Sequence, residues 1–267
     1  MRTNRGVSMS KFPQEPVDSF DICDLALRQY FTVLKPALPL IILLTLAQAF
    51  TFYLGHLFSS TILNVIFEVV GLILFLYFSG ALLCQIQSIL EDSEMTFQDA
   101  LRAMISRLIP FFICLLLIIA VVVLYYWFIS HVMQTWIGPS TGEHAAMKNL
   151  FIFLFLCLSP IVIFIVFMIF APAVVVLDQL NPIRAYGRSY RLIGVRWLQA
   201  FTIYACVGIV YILVAPGTLH AHFFMHYHVF LVFVLFVYVI LLPFVFNYIL
   251  FMLNDFKLRL AAEVDLE

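Results

Sequence analysis

Residues 108–130 read LIPFFICLLLIIAVVVLYYWFIS, from Leu108 to Ser130, without one Asp, Glu, Lys or Arg. A helix crossing a bilayer core needs roughly 20 consecutive apolar residues, and no loop or open strand satisfies its backbone polar groups there. The run is continuous, with none of the apolar–polar alternation of a barrel strand, so it predicts a transmembrane helix. The rest of the chain repeats the pattern. Hydrophobic residues make up 64% of the 267, charged residues only 11%, and phenylalanine alone counts 29. A soluble chain carries about a quarter charged residues, so with a mean hydropathy of +1.09 the expected solvent is lipid.

Working outward from 108–130, comparable runs lie at 37–54, 63–88, 149–177, 197–215 and 229–253, which makes six expected spans. The fourth run is longer than one span requires and too short for two. Pro160 and Pro172 within it predict a kinked or tilted helix, and Pro243 has a similar effect in the sixth. No cleaved signal is expected, because the first apolar run follows a long polar segment and is long enough to span. Residues 1–18 are expected to be a flexible cytoplasmic tail, 19–257 the membrane domain and 258–267 a cytoplasmic C-terminal tail.

Basic residues orient the chain. Arg2, Arg5, Lys11, Arg28 and Lys35 precede the first span; Arg102 and Arg107 fall between the second and third. Arg184, Arg188, Arg191 and Arg196 separate the fourth and fifth, and Lys257 and Arg259 follow the sixth. Thirteen of the 14 basic residues thus share one side if six helices alternate, and only Lys148 opposes them. The positive-inside rule places that side, with both termini, in the cytoplasm. Cys23, Cys84, Cys114, Cys157 and Cys206 all fall in spans or cytoplasmic segments, so no disulfide is expected.

The seven histidines all fall outward on this map. Four of them lie in TLHAHFFMHYHV at 218–229, the expected loop between the fifth and sixth spans. In a helix only His222 and His226 share a face, and in an extended segment His220 and His228 stand ~26 Å apart. The pair His222 and His226 is therefore the candidate for an outward zinc or copper site, against an interfacial loop of imidazoles and aromatics.

A weak internal repeat organises the spans. Ala26-Leu27-Arg28 precedes Pro36, and Ala100-Leu101-Arg102 precedes Pro110, at the same offset. Each ends a cytoplasmic amphipathic stretch feeding a pair of spans, and NPIRAYGRSYRLIGVRWLQAF feeds the third pair. The expected fold class is thus all-α: a polytopic membrane protein with six transmembrane helices, in three units of interfacial amphipathic helix plus transmembrane hairpin.

In the third stretch Asn181 and Pro182 suit an N-cap and the first helical position. Helical spacing then places Arg184, Arg188 and Arg191 on one face, with Ile183, Tyr186, Tyr190 and Ile193 toward apolar surroundings. These arginines are candidate ligands for lipid headgroups, since guanidinium matches phosphate bidentately. The plainer reading is that they set topology and snorkel. Within the spans, Glu68 is the one charged side chain well inside an apolar run, with Asn64 a turn before it and Gly71 a turn after. An intramembrane carboxylate points to a proton relay or cation site unless the span starts later and Glu68 reaches the outer interface. Asn247 in the sixth span reads as an interhelical hydrogen bond.

The run VLDQLNPIRAYGRSYRLIGVRW resembles the signature of the YciC-like bacterial inner-membrane proteins, related to the membrane domain of glycerophosphoryl diester phosphodiesterases. Asp178, Asn181, Pro182, Ala185, Arg188, Ser189 and Trp197 carry the resemblance, which is specific only over 177–197. It implies a six-span fold in a bacterial inner membrane and no activity. The chain has no G-x-S-x-G, H-E-x-x-H or P-loop pattern, so no enzyme and no cofactor is expected. The favoured expectation is a non-enzymatic inner-membrane protein that organises or senses the envelope. Its expected partners are membrane lipids, anionic ones included, and a membrane protein, but not nucleic acid. The alternatives are a small transporter or lipid translocator using Glu68, and an outward-facing metal-handling protein using His222 and His226.

Overall fold

The computed structural model describes residues 11–57, 61–93, 95–132, 159–201 and 227–264. Helices and no strands occur among them: α1 (Ser19–Leu57), α2 (Thr61–Leu90), α3 (Phe97–Val132), α4 (Ser159–Met168), α5 (Ala171–Leu177), α6 (Pro182–Ile193), a 3-10 turn at Gly194–Arg196, and α7 (Tyr227–Val264). Five segments are long and apolar enough to cross a membrane: Ser19–Ala47, Val65–Leu90, Phe97–His131, Pro160–Leu177 and Val239–Ala262. Most of the expected fifth span, 197–215, and the first part of the fourth lie outside the described residues.

Three helices greatly outrun a bilayer. α1, α3 and α7 have 39, 36 and 38 residues, hence lengths of about 54–58 Å at ~1.5 Å per residue, against a core of ~30 Å. The amphipathic stretches expected to lie as separate helices before the first and third spans are instead the first turns of α1 and α3. Pro36, Pro39 and Pro110 lie inside these helices without ending them. Only the third stretch forms a helix of its own, α6, because Gly194 closes it at φ +43°, a conformation that costs glycine little.

The fourth span, expected to be one kinked or tilted helix, is interrupted between Met168 and Ala171. Pro172 has no N–H to offer the Met168 carbonyl, and the ladder slips there. Ile169 N–H bonds the Val166 carbonyl at 3.3 Å, an i−3 bond, before Val174 N–H resumes the α pattern on Phe170 at 2.8 Å. Two short helices, α4 and α5, result.

Buried side chains follow helical stripes. On α1 these are Ile22, Ala26, Val33, Ala37, Leu40, Ile41 and Leu44; on α2, Leu82, Ile86 and Leu90; on α7, Phe251 and Phe256. Phe170, at the break, packs edge-on to Phe256 with ring centroids 5.4 Å apart. The opposite face of α1 is apolar too: Phe20, Leu27, Phe31, Leu38, Ile42 and Leu46 are exposed. So are Leu116, Leu117, Val123, Leu124, Trp127 and Phe128 on α3. Helices apolar all round suit a lipid solvent.

Polar side chains cross-link this core by donating to backbone carbonyls. Asn247 Nδ2 on α7 reaches the Ala26 carbonyl at 2.7 Å, and Tyr30 on α1 reaches Ile240 at 2.9 Å. Gln85 reaches Pro36 at 3.2 Å, and Tyr77 reaches Leu101 at 3.1 Å. The chain before α1 is tied down as well, although the flexible tail was expected to extend to residue 18. Lys11 N–H bonds the Leu90 carbonyl at 2.8 Å, Val17 N–H bonds Asp255 Oδ1 at 2.8 Å, and Phe12 packs on Phe251 at 5.4 Å. At the other terminus α7 runs unbroken past residue 257 to Val264.

Interhelical hydrogen bonds in a membrane contribute on the order of 1 kcal/mol. Asn247→Ala is therefore expected to lower the unfolding free energy by about 1–2 kcal/mol, the hydrogen bond plus the vacated volume. Denaturant or thermal unfolding in detergent micelles checks this, with Asn254→Ala, whose half-buried amide bonds Pro13 at 3.2 Å, as the milder comparison.

Candidate functional site

The start of α1, the end of α2, the start of α3, the end of α5, α6 and the end of α7 gather at one end of the helices. The links are polar: Lys11 to Asp92 at 3.0 Å, Asp178 to Lys257 at 2.8 Å, and Val17 N–H to Asp255 Oδ1 at 2.8 Å. Arg107, near the start of α3, reaches Cys84 Sγ at 3.4 Å and donates to the Val176 carbonyl. That carbonyl lies in the last turn of α5, where helical carbonyls lack partners and the dipole favours a cation. At the head of α3 Thr96 and Asp99 cap each other, with Thr96 Oγ1 2.6 Å from Asp99 Oδ2 and Asp99 N–H 3.3 Å from Thr96 Oγ1.

α6 lies across this end, and its placement follows residue by residue. Asn181 Oδ1 accepts from Arg184 N–H at 2.9 Å, and Pro182 opens the helix, where a missing N–H costs nothing. Ala185 and Ser189, one turn apart, are fully buried, and Leu192 and Ile193 continue that face. Ser189 Oγ donates to the Phe167 carbonyl at 2.7 Å, satisfying an acceptor in the last turn of α4. Tyr186 is half-buried and donates to the Cys114 carbonyl on α3. Burial pushes the Tyr186 hydroxyl well above the usual tyrosine range, so it remains a donor at any physiological pH.

Asp178 closes the arrangement. Its carboxylate follows α5 directly and faces two cations, Lys257 Nζ at 2.8 Å and Arg188 at 3.4 Å. Six of the seven residues that carry the resemblance thus share a structural task, while Trp197 is exposed. Asn181, Pro182, Ala185, Arg188 and Ser189 dock α6 on the α4–α5 break, and Asp178 ties it to α7.

The three candidate headgroup arginines consequently separate. Arg188 is half-buried and committed to Asp178, while Arg184 and Arg191 are exposed. In the neighbouring row of the exposed side lie Ile183 and Tyr190, which are 77% and 58% exposed, so guanidinium groups and large apolar side chains are presented side by side. Ile193, expected beside them, is buried in protein. Trp197 and Leu198 extend the exposed apolar surface past the 3-10 turn.

Among the other candidates, Asn247 is buried in the α1–α7 contact described above. Asn64 and Glu68 fall in the first turns of α2, but their side chains lie outside the described residues, as do His222 and His226 altogether. Among the described residues no group of His, Cys, Asp and Glu is placed to hold a metal ion. Arg196 and Arg259 did not stand out in the sequence, yet they line one cleft with Arg191. The only local signal was the i, i+4 spacing of Asp255 and Arg259.

The apolar helices are compatible with a multi-pass membrane protein. Comparison with protein-family models, with curated proteins and with solved structures returned no match.

Exposed ion pairs contribute ~0–1 kcal/mol, whereas breaking a buried one costs ~3–5 kcal/mol. With its side chain 16% exposed, Asp178 lies between these cases. Asp178→Ala is expected to cost about 2 kcal/mol. In a double-mutant cycle with Lys257→Ala the two losses should be clearly less than additive; additive losses would deny the coupling.

Proposed function

We propose that this chain is a non-enzymatic, six-span integral membrane protein of a bacterial inner membrane, with both termini cytoplasmic, that organises or senses the envelope through association with anionic lipid. It is built as three units, each an amphipathic stretch leading into a pair of spans, with the stretch fused to the span in the first two. The resemblance to the YciC-like inner-membrane proteins belongs to this reading, as does partnership with another membrane protein. No nucleic-acid partner is part of it.

One observation carries the lipid role. α6 exposes Arg184 with Arg191 and Ile183 with Tyr190 as two neighbouring rows of its outer side, while its opposite face is fastened to the protein. A helix presenting cations and large apolar groups together satisfies both at the headgroup boundary, where the apolar groups reach acyl chains and the guanidiniums meet phosphates. The basic character of the polar end supports the cytoplasmic assignment. The transporter and metal-handling alternatives depend on Glu68 and on His222 with His226, whose side chains lie outside the described residues.

Each basic residue near an anionic surface contributes about 1 kcal/mol. Arg184→Gln combined with Arg191→Gln should therefore lower the ratio of phosphatidylglycerol to phosphatidylcholine retained by the purified protein from mixed-lipid nanodiscs, and raising the salt should shrink the difference. An unchanged ratio at low salt would count against the lipid role.

A further inference from the structure

Three arginines from separate parts of the chain line one cleft at the polar end. Arg191 comes from the last turn of α6, Arg196 from the 3-10 turn, and Arg259 from the last turns of α7. Leu192, Ile193, Gly194, Phe256 and Leu260 complete a cleft of about 90 Å³. Gly194, with φ +43°, bends the chain between the first two arginines, so Arg191 and Arg196 border the same space from opposite sides of the bend.

Among the described residues, every charged side chain lining this space is cationic. Asp255, the acid adjoining Arg259, is 2% exposed and already accepts from Val17 N–H at 2.8 Å and from Arg259 Nε at 2.7 Å. Asp178 is likewise occupied with Lys257 and Arg188. Arg259 also donates through Nη2 to the Val17 carbonyl, and neither of its bonds uses Nη1. These bonds hold the guanidinium in place before any ligand arrives, which lowers the entropic cost of binding. Three guanidiniums bordering one small, partly apolar space make it attractive to an anion.

We infer that this cleft binds a phosphate group, either the headgroup phosphate of an anionic lipid or a free phosphate. Guanidinium recognises phosphate through paired, charge-assisted hydrogen bonds. A water needs only ~10–15 Å³ of such space, so the cleft has room for one tetrahedral anion. In its lipid form the inference rests on the function proposed above and sharpens it: the specific contacts are Arg191, Arg196 and Arg259, while Arg184, on the same helix but outside the cleft, supplies only general attraction.

The test uses the intact purified protein, Arg191→Gln with Arg196→Gln, and Arg184→Gln as the control outside the cleft. Arg259 is left unchanged because it also holds Val17 and Asp255. Retention of phosphatidylglycerol from mixed nanodiscs is expected to fall by about fivefold at most in Arg184→Gln, and in the double variant by clearly more than the ~30-fold that two general contacts of ~1 kcal/mol would give. Titration of inorganic phosphate in neutral detergent, read as thermal stabilisation, gives the second arm. Stabilisation of the parent protein that vanishes in the double variant supports the site with free phosphate as ligand. Should the glutamine double variant fail to fold, Arg191→Lys with Arg196→Lys keeps the charge but loses the paired geometry, and a several-fold weakening in either arm is expected. Lipid loss in the double variant no greater than two general contacts would give, without phosphate stabilisation, overturns the cleft and leaves the general lipid role standing. No loss in any variant and no stabilisation overturns both.

Discussion

The carboxylate of Asp178 sits where three helices meet, and the polar end depends on it. It follows α5, faces Arg188 of α6 and holds Lys257 of α7 at 2.8 Å. Without that anion, two cations on neighbouring helices would confront each other in a half-buried space, and α6 would lose its tie to α7. The carboxylate stands there because Pro172 broke the fourth span a few residues earlier. The break redirects α5 and frees the α4 carbonyl end that Ser189 satisfies, which lets α6 fold back over the junction. A missing N–H in the apolar layer thus determines where the charged layer closes.

Most of the helices were legible from residue type alone. Uninterrupted apolar runs announce spans because lipid offers no partner for an open backbone, and Asn181-Pro182 announces the start of α6 through local chemistry that needs no tertiary contact. Pro172 announces a distortion of the fourth span through its missing N–H, but a kink and a full break read alike in the sequence. The continuity of α1 and α3 was not, since the change from amphipathic to apolar composition at Pro36 and Pro110 looks like a boundary, whereas the helical ladder tolerates proline inside a helix supported by its neighbours.

The candidate site was legible only in part. Periodicity places Arg184, Arg188 and Arg191 near one another, but their roles are assigned by what lies opposite. Asp178 claims Arg188, which spacing along α6 could not foresee. Arg259 meets Arg191 and Arg196 across a long stretch of intervening chain, and no rule of sequence spacing joins them. The anchoring of Lys11 and Val17 escaped notice similarly: a polar segment rich in proline and serine reads as a tail until the ends of α2 and α7 supply its hydrogen bonds.

The excess length of α1 and α7 has a mechanical meaning. A rod of about 58 Å gripped by a ~30 Å apolar layer projects well beyond it, and helices answer a change in bilayer thickness chiefly by tilting. A tilt of ~10° about the rod's midpoint moves each end by ~5 Å, roughly one helical pitch. Because α1 and α7 are bonded to each other within the core and carry the charged layer at their tips, thinning or thickening of the bilayer is amplified into lateral displacement of Arg259 and Lys257. On the membrane reading proposed above, the geometry of the basic end responds to the lipid around it.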